Sequence, residues 1–94
     1  MKYTIEEIKE KSIPIAKKYG VSKLALFGSY ARGDAIESSD IDFVIDKGAI
    51  VGWDFFGFCL DLENEFCKKV DVLTYNSIPK SKYFEIEELK LYEK

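Results

Sequence analysis

Residues Asp40 to Asp46 read Asp-Ile-Asp-Phe-Val-Ile-Asp. This alternation leaves few choices for the backbone. A period of two puts Ile41, Phe43 and Ile45 on one face of a strand and Asp40, Asp42, Val44 and Asp46 on the other. The strand must therefore bury one face against a core and turn acids to the other. A second strand precedes it: Leu24-Ala25-Leu26-Phe27 is short, continuously apolar and followed at once by Gly28, as a strand buried on both faces reads.

The rest of the chain supplies layers for these strands. Residues 4 to 19 have apolar positions at helical spacing (Ile5, Ile8, Ile15, Ala16, Tyr19), with Gly20 as a C-terminal stop. Pro14 predicts a kink or break near Ser12. Gly28 to Ser39 reads as a loop with one helical turn, and Lys47 to Gly52 as a turn. Trp53 to Lys68 predicts a helix, with Phe55, Cys59, Leu62 and Phe66 in one stripe. Val70 to Tyr75 predicts a third strand, Asn76 to Pro79 a turn, and the region from Tyr83 to Leu89 a helix ending in an irregular or extended tail. The expectation is one domain over residues 1–94: α/β, with a small central mixed sheet of about three to four strands flanked by helices.

Two like charges on one strand face, with Cα atoms about 6–7 Å apart, are unfavourable unless something positive sits between them. Carboxylates without His or Cys suit hard cations such as magnesium or manganese. Asp71 breaks an apolar strand, Val-Asp-Val-Leu, where aspartate is disfavoured. Either it joins Asp40 and Asp42, or its strand is an edge and it faces water. Three carboxylates suffice for a pair of ions about 3.5–4 Å apart, an arrangement used in phosphoryl displacement.

Gly28 follows a buried strand, where the chain must turn sharply and approach a ligand closely. The backbone and hydroxyl of Ser29 can then hold phosphate oxygens, and Arg32, one turn on, offers a bidentate fork. No Walker A or dinucleotide loop is present. The chain contains no histidine, so a general base must be a carboxylate, Lys, Tyr or Cys, and histidine triads are excluded. Net charge is −3, which argues against direct nucleic-acid binding. No run approaches the roughly 20 apolar residues of a membrane helix, and a cytoplasmic location is expected. Cys59 and Cys67, eight residues apart on one predicted helix, are beyond disulfide reach and read as buried small hydrophobes in a reducing compartment.

Phe27-Gly28-Ser29-Tyr30-Ala31-Arg32-Gly33-Asp34-Ala35, followed by Ser39-Asp40-Ile41-Asp42-Phe43, resembles the signature of the DNA polymerase β-like nucleotidyltransferase superfamily. More narrowly, it resembles the minimal nucleotidyltransferase (MNT-type) group, the antitoxin half of HEPN/MNT toxin–antitoxin pairs. The likeness extends through the Val-Asp-Val strand to Leu91-Tyr92-Glu93. The resemblance implies transfer of AMP from ATP to an acceptor hydroxyl, a tyrosine on a HEPN-type toxin. Asp40, Asp42 and Asp71 would bind two Mg2+ or Mn2+ ions and form the catalytic set, with Asp71 also the base. Gly28, Ser29 and Arg32 would hold the triphosphate. With no residues left for a substrate domain, the expected acceptor is a protein in a homodimer or hetero-oligomer. Two other readings remain: an antitoxin acting by binding alone, and nucleotidyl transfer to a small molecule.

Overall fold

The computed structural model describes residues 2–46, 48, 50, 52–77 and 88–94. Helix α1 spans Ile5–Tyr19, strand β1 Lys23–Phe27, the short helix α2 Gly28–Arg32 and strand β2 Ile41–Asp46. Helix α3 (Asp54–Phe66), strand β3 (Val70–Thr74), a 3-10 turn at Tyr75–Ser77 and strand β4 (Leu89–Glu93) follow. The four strands lie in the order β3-β2-β1-β4. β1 runs antiparallel to both β2 and β4, and β2 runs parallel to β3, so the sheet is mixed. A parallel pair needs a crossover, and α3 supplies it.

The alternation in β2 sorts as expected. Ile41, Phe43 and Ile45 join Leu24 and Leu26 in the main core, closed by Ile8 and Ala16 of α1 and Phe58, Leu62 and Phe66 of α3. Val44 faces the other way and pairs with Ala25 in a smaller cluster beside Phe27 and Tyr75. Tyr3 secures the approach to α1 by donating its hydroxyl to the Phe66 carbonyl at 2.7 Å.

Four expectations need correction. α1 runs unbroken through Pro14. It is nucleated by a capping box between Thr4 and Glu7, and it buries Ile8, Ser12 and Ala16 at intervals of four. Pro14 lies on the exposed side, where water can reach the Glu10 carbonyl that loses its donor, and burial of the inner face outweighs the proline cost of about 3 kcal/mol. There is no break at Ser12, whose hydroxyl donates to the Ile8 carbonyl at 2.6 Å. Second, α3 stops at Phe66, and Cys67 takes a left-handed conformation (φ 52°), donating its N–H to the Glu63 carbonyl at 2.8 Å. Third, Cys67 is therefore an exposed cap and not a buried hydrophobe, whereas Cys59 is half-buried and its thiol is pushed up by burial and by Glu63. Both cysteines are free.

The fourth correction concerns the end of the chain. Leu89 begins β4, with Leu91 buried against β1, so the expected extended tail is a sheet strand and Leu89 is not helical. Glu88, just before it, is not helical either; residues 83–87 of the expected helix and the end of the expected turn at Pro79 lie outside the described residues, as do parts of the turn from Lys47 to Gly52. Among the described residues, no helix is long and apolar enough to cross a membrane.

Candidate active site

The parallel register of β2 and β3 sets Asp42 opposite Asp71. The main-chain pairing alone brings two carboxylates from distant parts of the sequence into contact. Asp42 is half-buried; Asp71, on the edge strand, is exposed. The two alternatives for Asp71 thus turn out to be compatible: it faces water and touches Asp42. The Asp42 carboxyl is pushed up to about 6. Burial is the largest cause, followed by the negative charge of Asp71, a hydrogen bond between the two carboxyls and the charge of Asp40; Arg32 pulls the other way.

Asp40 stands just outside β2, half-buried, two residues before Asp42. Its charge is felt at Asp42, yet among the described residues no three acids are already gathered as a metal cage. The donor set nevertheless fits a hard divalent ion. It is all oxygen, it carries excess negative charge, and its central member is held toward the neutral form by burial and then by the acids beside it.

Phe27 ends β1 opposite Asp42, and α2 starts at the next residue. Gly28 has φ +71°, and a Cβ there would lie 2.4 Å from Oδ2 of Asp42. The glycine is required twice, by its backbone and by the carboxylate pressed against it. Ser29 follows, half-buried, in the first turn of α2; its carbonyl accepts from the N–H groups of Gly33 and Asp34 at 3.0 and 3.1 Å. Tyr30 anchors the turn in the core. Arg32 is exposed and its Nε donates to Asp34 at 3.3 Å, so Asp34 restrains it. Gly28, Asp42 and Asp71 are therefore drawn together, with Ser29 next in sequence to Gly28, while Asp40 and Arg32 act on Asp42 through their charges.

One contributor left no local signal in the sequence. Lys68, in the connection between α3 and β3, donates to the Glu37 carbonyl at 2.9 Å and to the Tyr30 hydroxyl at 3.4 Å. It ties the connection ahead of Asp71 to the loop between α2 and β2. Such a link follows from the parallel register and not from any spacing.

Comparison with known proteins agrees with this geometry. The nucleotidyltransferase domain family matches residues 4–92. A relative from Methanocaldococcus jannaschii, provisionally named a protein adenylyltransferase, is 48% identical over 75 residues, covering 79% of this chain and 81% of its own. Among solved structures, one of a provisionally assigned minimal nucleotidyltransferase superposes with a TM-score of 0.79 at 22% identity, over 93% of this chain and 95% of that one. A crystal structure of a toxin–antitoxin with AMP-PNP superposes with a TM-score of 0.73 at 19% identity, over 92% of this chain and 73% of that one. At such identities the structural likeness speaks for the fold.

Proposed function

This chain belongs to the nucleotidyltransferase domain family and is a nucleotidyltransferase, and we propose that it transfers AMP from ATP to a tyrosine hydroxyl of a HEPN-type toxin, acting as the antitoxin. The observation that carries this reading is the contact between Asp42 and Asp71 in register, with Gly28 held against Asp42. The relative named a protein adenylyltransferase supports a protein acceptor, and the toxin–antitoxin structure with AMP-PNP supports both an ATP-like substrate and a toxin partner.

Each residue has a role in this reaction. Asp40, Asp42 and Asp71 would hold Mg2+ or Mn2+, which would supply charge to polarise the phosphoryl oxygens and to offset the acids. Gly28 leaves room for the triphosphate to approach the backbone, Ser29 binds a phosphate oxygen, and Arg32 adds positive charge at the rim. Asp71 accepts the proton of the attacking hydroxyl, its exposure leaving it open to an incoming acceptor. The hydroxyl oxygen bonds to the α-phosphorus, the bond to the bridging oxygen breaks, and pyrophosphate leaves.

The test uses ATP labelled on the α-phosphate, magnesium, and the protein encoded beside this chain. The partner should become labelled, and Asp40→Asn with Asp42→Asn should lower labelling by at least about a thousandfold, since several kcal/mol of charge stabilisation is lost. Neutralisation of the partner by the double variant as well as by the wild type, with no label in either, would establish an antitoxin that acts by binding alone.

A further inference from the structure

Trp53, at the head of α3, and Phe56 and Leu60 within it stand 84%, 61% and 57% exposed. Spacings of three and four set them in single file along one side of the helix. The Trp53 and Phe56 rings pack together with centroids 5.5 Å apart. The inner side of the same helix (Phe55, Phe58, Leu62, Phe66) already belongs to the core. The helix is thus apolar on two sides, and the described residues cover one. With roughly 150–250 Å² for a fully exposed aromatic, the outward file presents about 400–500 Å² of apolar surface. The largest apolar patch of a typical single chain is about this size and is often functional.

Charge narrows the occupant. α3 carries Asp54, Asp61, Glu63 and Glu65 and no lysine or arginine. Asp61 and Glu65 lie toward α1 and pair with Lys18 at 3.2 Å and Lys11 at 3.5 Å. Glu63 borders the file, and Asp54 lies on the side turned toward α1, where its charge is felt at Tyr19; neither has an ion pair among the described residues. A second copy of this chain docked through the same helix would bring more acids and no base to the file. An anionic lipid surface meets the same repulsion. A helix that is apolar along one side and flanked by lysine or arginine fits both the shape and the sign.

We propose that the Trp53–Phe56–Leu60 file is the docking surface for a basic amphipathic helix of a protein partner. This rests on the reading of the chain as acting on another protein. α3 covers the core face of the sheet, and Asp42 lies on the alternate face of β2, so gripping the partner and transferring the nucleotide use separate surfaces.

Trp53 is the single tryptophan, so its emission reports on the file directly. An 18-residue helical peptide with a leucine stripe flanked by lysines should shift that emission to the blue and saturate; the same stripe flanked by glutamates should not. Phe56→Glu should weaken binding of the lysine peptide at least tenfold, although it adds a negative charge that plain electrostatic attraction would exploit. Leu60→Gln should weaken it less, and serves if the first variant fails to fold by circular dichroism. Equal response to both peptides, tighter binding by Phe56→Glu, or a dimer of the wild type by sedimentation at micromolar concentration would each overturn the proposal. Magnesium-ATP binding by Phe56→Glu should equal that of the wild type. Absence of ATP binding in both proteins would defeat the proposed nucleotidyl transfer and leave the docking result standing.

Discussion

The two faces of the sheet divide the labour of the molecule, and β2 shows the division residue by residue. On one face Ile41, Phe43 and Ile45 sit fully buried among large side chains from α1 and α3. On the other, Val44 and Ala25 form a pair of small buried residues, and Asp42 stands beside Asp71. The first face holds the apolar area that stabilises the fold. The second holds charge that the fold would be more stable without. A single strand can serve both because its side chains alternate, and the cost of the acid face is carried by the apolar one. Changes to the two faces should therefore act on different measurements.

The largest separation is expected from paired variants. Asp40→Asn with Asp42→Asn should abolish nucleotidyl transfer without unfolding the protein. Phe58→Ala should do the reverse. Phe58 is fully buried and packs edge-on against Tyr19 with ring centroids 5.8 Å apart. Its loss should cost about 3–5 kcal/mol and lower the Tm by more than about 10 °C. Below the new Tm, transfer by the folded fraction should stay near the wild-type rate. A proportional loss of transfer in the folded protein would show that the two faces are coupled.

A finer comparison sets Gly28 against Gly33. Both have positive φ, +71° and +86°, but a Cβ at Gly33 meets open space whereas one at Gly28 meets the Asp42 carboxylate. Gly33→Ala should cost about 1 kcal/mol of strain and leave transfer nearly intact. Gly28→Ala should cost about 1–3 kcal/mol and reduce transfer about a hundredfold, because the carboxylate must move. Thermal unfolding and label transfer measured on both variants check this. Similar transfer by the two would mean that the contact with Asp42 is immaterial to the chemistry.

Much of this was legible in the sequence, for a definable reason. Ile41, Phe43 and Ile45 alternate with acids, so both faces of β2 follow from residue spacing alone, and the Gly28-Ser29 turn follows from its place after an apolar strand. What remained hidden depended on contacts between distant segments. No local pattern says that Val70–Thr74 pairs with β2 in parallel, and only that register sets Asp71 on Asp42 and carries Lys68 to Glu37. The β4 strand was obscured because Leu89-Lys90-Leu91-Tyr92-Glu93 mixes charged with apolar residues, and its pairing with β1 decides its conformation. Pro14 misled in the opposite direction, since local propensity yielded to the burial of Ile8, Ser12 and Ala16. The exposed Trp53 file was half legible: the stretch from Trp53 to Phe58 carries more aromatics than one stripe can bury, which allows a partner-facing patch, but local spacing does not say which of them lie outside.

The smallest expected effect is also the most direct measure of what the acid face costs. The Asp42 carboxyl rises from an ordinary value of 3.8 to about 6 in the folded protein. The fold therefore holds the proton more tightly than the unfolded chain does. The resulting stability is fully present below about pH 4 and is lost as pH rises through about 6, where the folded carboxyl ionises beside Asp71. Two units correspond to about 3 kcal/mol at 1.36 kcal/mol each, and solvent around a half-buried carboxyl reduces this to about 1–2 kcal/mol. In EDTA at pH 8, Asp42→Asn should thus be more stable than the wild type by about 1–2 kcal/mol, and the advantage should vanish by pH 4. Asp61, whose carboxyl is held low by the Tyr19 hydroxyl and Lys18, titrates in the opposite sense but does so in both proteins and cancels in the difference. A Tm difference between the two proteins that stayed constant from pH 4 to 8 would mean that ionising Asp42 in its buried, acid-lined place exacts no cost in stability. The division between the two faces would then be one of chemistry alone.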